Sequence, residues 1–377
     1  MSGTANGLRA AFATLGRRLR IGGNGKPTIG LVGYFGWGNY GDELFVQVWQ
    51  QELGDEFNLR VLPDVQAKPY FSRGIDAALR GVDAILIGGG DLVIPWQLSE
   101  LYWRREYLRL PVFIAGVGVP TSQPAKPNVV QRLHEFFSHP NVRFIHARDP
   151  ESQQWIENHL APAVHVHEGP DLACAIDFPP HIEGKGNVLG IVTREIRRHR
   201  DRGERSEGDS TAEQQYDDLR SLAQQMYEHG YHIRHIVLGA GKIGADDLAD
   251  AHWAALPHAQ VMFSESIDDM TRMIADCSAL VTMKFHGAVV ATMYRIPSFN
   301  FVAPGKPVSA KRVNFMRRIN RADLVEPLSA ADCAQRILQG SPIAPESVTM
   351  LRETSLAVIA KLRASLLESL VKSTPSG

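Results

Sequence analysis

Cysteine is scarce in this chain, three among 377 residues (Cys174, Cys277 and Cys333). Their spacing is unpaired, which argues against a disulfide framework or a cysteine-based zinc site and for buried thiols in a reducing compartment. No apolar run is long enough to cross a bilayer, and no apolar core with a cleavage site marks a signal peptide. A cytoplasmic location is therefore expected. The formal net charge is only −1, so no general attraction to nucleic acid operates and any basic function must be local. Internal repeats are lacking, and so are metal-ligand clusters; His165 and His167 share a strand face without a third ligand nearby. What is present has the balance of a globular protein, 44% hydrophobic and 21% charged, with length enough for two domains.

Residues 1–26 stand apart. Leu8, Ala11, Phe12, Leu15 and Leu19 recur at helical spacing among Arg9, Arg17, Arg18 and Arg20, and a glycine-rich joint follows. This predicts a basic amphipathic arm, suited to a neighbouring subunit in a homo-oligomer or to peripheral contact with a membrane surface. From Thr28 onward, short apolar strands alternate with helices, each strand ending in glycine or a charged residue. The first strand, 28–32, runs into Gly33-Tyr-Phe-Gly-Trp-Gly-Asn-Tyr-Gly-Asp-Glu43 and a helix expected from about Leu44. Gly36, Gly38 and Gly41 formally satisfy the dinucleotide fingerprint G-x-G-x-x-G, with Asp64 after the next strand, but Tyr34, Phe35 and Trp37 crowd the loop where a pyrophosphate needs close backbone approach. The glycines still allow a backbone nest, and Asp42 or Glu43 is placed to cap the helix or to act in a site. Further strands end in Gly88-Gly89-Gly90-Asp91, in Gly116-Val-Gly118, in Arg148-Asp149, and after residues 164–167.

A proline- and glycine-rich break over 178–187 divides the chain into an α/β domain at 27–180 and a second at 187–340, closed by an amphipathic helix at 346–372. In the second domain, a strand over 188–192 leads into Arg194 and a loop to 210 that carries both charge signs and few apolar residues. Residues 279–282 read as a buried strand and Gly287–Tyr294 as a helix lined with small apolar residues; Lys284, Phe285 and His286 stand between them. In an open parallel sheet such strand-to-helix turns lie at the carboxyl ends of the strands, where ligands bind. A cation and an imidazole at a helix N-terminus suit an anionic ligand whose chemistry needs a proton. The expected fold class is α/β, two Rossmann-like domains facing a central cleft in the manner of the glycosyltransferase-B fold.

Four stretches in this order, Gly33 through Glu43, Ile87-Gly-Gly-Gly-Asp91, Ala147-Arg-Asp-Pro-Glu-Ser152, and Thr282-Met-Lys-Phe-His-Gly287 through Pro297, resemble the polysaccharide pyruvyltransferase family. Lys284-Phe285-His286 stands where that family usually shows Arg-Leu-His. The resemblance implies transfer of pyruvate from phosphoenolpyruvate onto two hydroxyls of one sugar, giving a cyclic ketal and phosphate. It needs no cofactor and no metal beyond the donor substrate. The implied acceptor is a bacterial exopolysaccharide or cell-surface glycan precursor, in one version lipid-linked at the inner membrane face. Cations and backbone N–H groups are needed for the donor's phosphate and carboxylate: Arg148, Lys284, Arg194 and the turns carrying Gly38, Asn39, Gly41, Gly89 and Gly90 are the candidates. His286 is the candidate general acid, and Asp91, Asp42 and Glu43 are alternative bases. A nucleotide-sugar glycosyltransferase would share the architecture, although no two glutamates have the E-x7-E spacing of a retaining member. A dinucleotide oxidoreductase rests on the glycine fingerprint alone, and a non-catalytic regulator would not need the Arg148 and His286 that this chain has.

Overall fold

Strands that are apolar along their whole length offer no face to water, and they fit sheets covered on both sides by helices. The structure, a computed structural model, is built on such strands. It describes residues 25–64, 70–180, 186–194, 208–300, 308–325, 329–340 and 342–371, with side chains from residue 216 onward in the helix that begins at 208. The amphipathic pattern at residues 1–24 and the charged stretch 195–207 lie outside the described residues.

The first series comprises β1 (Thr28–Val32), α1 (Tyr40–Leu53), β2 (Asn58–Val61), α2 (Ile75–Leu79), β3 (Ala84–Gly90), β4 (Val112–Val117), α3 (Pro127–Phe137), β5 (Val142–Ala147), α4 (Pro150–Leu160) and β6 (Val166–Glu168). Its six strands form a wholly parallel sheet in the order β2-β1-β3-β4-β5-β6. Every residue of β4 is buried, and β3 is buried up to Gly89. The core includes Trp103, whose ring lies 5.3 Å from that of Phe136 and 5.2 Å from that of Phe137.

The second series comprises β7 (Val188–Val192), α5 (Gly208–Glu228), β8 (His232–Ile236), α6 (Gly241–Ala254), β9 (Ala259–Met262), α7 (Ile267–Ala275), β10 (Ala279–Thr282), α8 (Phe285–Met293), β11 (Ser298–Asn300), α9 (Ala310–Arg318), α10 (Ala330–Gln339) and α11 (Pro345–Val371). Its parallel sheet has the order β11-β10-β7-β8-β9. The chain divides into two compact units: 25–37, 41–176 and 351–371 of the described residues form the first, and 38–40 with 177–350 form the second.

Three expected boundaries move. Helix α1 begins at Tyr40, not near Leu44, so Asp42 and Glu43 occupy its first turn, where negative charge is favourable. Helix α8 begins at Phe285, not Gly287. Thr282 Oγ1 accepts from Lys284 N and donates to Lys284 O, both at 3.0 Å, and this tight side-chain turn starts the helix early. The third shift is β6, displaced by about two residues from the expected 164–167. The closing helix, expected as an element of its own, gives its residues from Leu351 onward to the first unit. Its stripe of Leu351, Ser355, Val358, Ile359, Leu362 and Leu366 is buried, the spacing of a core-facing helix. Among the described residues, no helix is long and apolar enough to cross a membrane.

Candidate functional site

In an open parallel sheet a crevice forms where the strand order reverses direction, because neighbouring connections leave on opposite faces. The first sheet reverses between β1 and β3, and the second between β7 and β10. The sequence-predicted residues collect at the carboxyl ends of these strands.

In the first unit, Asp42 and Glu43 follow β1, Gly89, Gly90 and Asp91 end β3, and Arg148 follows β5. Glu43 is buried, and its Oε1 accepts from Gly36 N at 2.7 Å, so it ties the glycine loop to the helix that succeeds it. Gly89 and Gly90 have φ of 88° and 101°, a region that side chains rarely adopt. Gly41 is buried in the first turn of α1. The Arg148 side chain is 2% exposed and ion-paired to Asp91, with Nη1 3.4 Å from Asp171 Oδ2. Asp171 Oδ1 in turn accepts from Ala173 N at 3.0 Å, and Asp149 caps α4 by accepting from Ser152 N at 2.7 Å. Burial alone would lower the Arg148 pKa, but the charges of Asp91, Asp171 and Asp149 outweigh it and hold it above its usual value. Arg148 therefore already serves an internal ion cluster that joins the ends of β3, β5 and β6, and Asp91, 28% exposed, is that cluster's outward member.

In the second unit, Gly38 and Asn39 belong with the β8 end. Ala240 N donates to Gly38 O at 2.8 Å, and Asn39 bridges Gly239 in antiparallel fashion. Gly38 has φ 89°, and a Cβ there would collide with the Ala240 backbone, so the position requires glycine for fold as well as for any ligand. Register places Val192 opposite Thr282, and Met283 N donates to Val192 O at 2.9 Å. Arg194 and Lys284, each two residues further on, thus leave neighbouring strands at the reversal point. Arg194 is exposed. Lys284 Nζ is ion-paired to Asp247 and donates to Leu238 O at 2.7 Å. His286 is half-buried in the first turn of α8, its ring 5.2 Å from that of Phe285 and edge-on to it.

Sequence reading missed four supporting groups. Asp247 lies on α6, the helix that follows β8, and β7 stands between β8 and the strand before Lys284, so nothing in its local sequence couples it to Lys284. Asp250, one turn later, accepts from Tyr216 OH in a buried bond. His235, buried on β8, lies 3.0 Å from Thr193 Oγ1 through Nε2, and burial, with a contribution from His252, pulls its pKa down to about 4. The fourth is Arg312 on α9. It is 3% exposed and donates through Nη1 to Thr282 O at 2.7 Å, at the end of the strand that carries Lys284 and His286. Its place after a stretch of ordinary loop composition gave no signal.

Residues 39–303 match the sequence profile of the polysaccharide pyruvyl transferases. No curated protein matches the chain in sequence. Among solved structures the chain is similar to S. aureus MnaA with UDP, at 11% identity and a TM-score of 0.55 over 93% of this chain and 99% of that one. It is also similar to the UDP-N-acetylglucosamine 2-epimerase of Rickettsia bellii, at 10% identity and a TM-score of 0.53 over 93% and 98%. At these identities the likeness speaks for the fold, two Rossmann-like units of the glycosyltransferase-B type.

Proposed function

Because this chain belongs to the polysaccharide pyruvyl transferase family, we propose that it moves pyruvate from phosphoenolpyruvate onto two hydroxyls of one sugar in a bacterial cell-surface glycan precursor. The observation that carries this reading is the gathering of Arg194, Lys284 and His286 at the strand-order reversal of the second sheet. A donor with a phosphate and a carboxylate needs cations, and its enol carbon needs a proton. In the proposed sequence, His286 gives a proton to the methylene carbon while the first sugar hydroxyl adds to the neighbouring carbon. The bond from that carbon to the phosphate oxygen then breaks, phosphate leaves, and the second hydroxyl closes the ketal. One hydroxyl proton replaces the proton His286 gave, and the other leaves through a base or with phosphate. Asp91 and Asp42 are the partly exposed carboxylates among the candidate bases; Glu43 is committed to Gly36. The glycan acceptor, its lipid link and any peripheral membrane contact through the arm at residues 1–26 are part of the proposal.

The test is phosphate release from phosphoenolpyruvate across a panel of glycan acceptors. His286→Gln should lose about 10²–10⁴-fold in turnover, the usual scale of general acid catalysis, with much smaller change in donor affinity. A folded His286→Gln protein with wild-type turnover removes His286 from the mechanism. Stabilisation by a nucleotide sugar but not by phosphoenolpyruvate would favour a glycosyltransferase instead.

A further inference from the structure

Arg312 has an arrangement that structure alone does not favour. Its side chain is buried, it makes a hydrogen bond to one backbone carbonyl, and among the described residues no carboxylate pairs with it. A buried cation is ordinarily matched by an opposite charge, since desolvation of an unmatched one is strongly unfavourable. A neutral side chain could satisfy the Thr282 carbonyl equally well. The contrast within this molecule is direct: Arg148, equally buried, has two aspartates. Lys284 has Asp247.

The surroundings add positive charge. Arg194 lies close enough to disfavour the Arg312 cation, and burial together with that charge pulls the Arg312 pKa down to about 9. Lys311 Nζ sits 5.6 Å from the centre of the Phe285 ring, and Phe285 packs edge-on against Phe315 of the same helix as Arg312. Helix α9 is thereby fixed against the start of α8. The acceptor of the Arg312 bond, Thr282 O, ends the strand at the reversal point.

We infer that Arg312 is an anion-binding residue of the second unit, its guanidinium and that of Arg194 receiving a phosphate-bearing ligand at the β7–β10 reversal. The ligand brings the counter-charge that the described residues do not supply, so the site is electrostatically complete only when occupied. That the ligand is phosphoenolpyruvate rests on the function proposed above; that it is a phosphate-bearing anion does not. Arginine suits the task because its planar fork can hold the Thr282 carbonyl with one N–H while others face a phosphate oxygen.

The test measures thermal stability of the full chain with and without inorganic phosphate, and separately with phosphoenolpyruvate. Wild type should gain stability with either anion. Arg312→Gln should have an unliganded Tm equal to or above that of wild type, because a buried unmatched charge is gone, and should weaken phosphate binding by about tenfold or more. Arg312→Lys should keep part of the phosphate response and guards against a variant that does not fold. An unliganded Tm that falls in Arg312→Gln, with the phosphate response intact, would make the residue a strut for Thr282 and overturn the inference. Phosphate stabilisation that depends on Arg312, with none from phosphoenolpyruvate, would uphold this site and overturn the donor assignment. Stabilisation by both anions that survives in Arg312→Gln would do the reverse.

Discussion

At the scale of single residues, two buried groups show how differently this fold treats charge. Arg148 is neutralised by aspartates that also cap local structure, whereas His235 is kept uncharged. Its Nε2 bonds to Thr193, and among the described residues Nδ1 has no hydrogen-bond partner, as suits a neutral ring with one bare nitrogen. A pKa of about 4 in the folded chain against 6.5 in the unfolded one means that, between those values, the unfolded state binds the additional proton. Stability is therefore fully present above 6.5 and declines as pH falls toward 4, with a slope of at most about 1.4 kcal/mol per pH unit. Urea unfolding from pH 7 to 4 should show that decline, and His235→Gln should flatten it. An unchanged slope in the variant would assign the acid sensitivity elsewhere. None of this was legible in the sequence, where His235 is one of 14 histidines. Lys284 and His286 were legible because they interrupt an apolar run between strand and helix. Arg312 was not, because what distinguishes it is that no described residue supplies a counter-charge, a property of three-dimensional surroundings.

At the scale of elements, apolar runs and glycine turns made most strands readable: β1, β5, β7 and β10 have the expected ends. Helix starts were less readable, because they depend on side-chain turns such as that of Thr282 with Lys284. The closing helix gives a further contrast. Its amphipathic stripe predicts that it packs, but no local pattern says against what, and its membership in the first unit joins residues far apart in sequence. Arg363 illustrates the join, its Nε 3.1 Å from Glu56 Oε2. Leu362 has no exposed surface. Leu362→Ala should destabilise the first unit by about 2–5 kcal/mol, the range for a large buried aliphatic side chain cut to alanine. Tryptophan fluorescence during denaturation suits the measurement, since Trp37, Trp49, Trp96, Trp103 and Trp155 all lie in that unit. A loss below 1 kcal/mol would mean that the helix contributes little to that core.

At the scale of the whole molecule, the relevant fact is that two compact units each carry a strand-order reversal, while the unmatched cations are described at only one. In the first unit the buried arginine at the strand ends is met by Asp91 and Asp171; in the second, Arg312 meets a carbonyl and the charge of Arg194. Strand order cannot be read from strand pattern, so the sequence placed Arg194 and Lys284 at strand ends without making β7 and β10 neighbours. With that pairing known, an anionic donor should act locally. Hydrogen exchange of the full chain with phosphoenolpyruvate should slow most in peptides covering 188–194, 279–293 and 310–318, because a ligand held there opposes their local opening by its binding free energy. Inorganic phosphate should protect the same peptides more weakly, since it lacks the carboxylate. Protection by phosphoenolpyruvate centred instead on 84–91 and 142–149 would put the donor at the first sheet's strand ends, and would return Arg148 to the role that its aspartates otherwise fill.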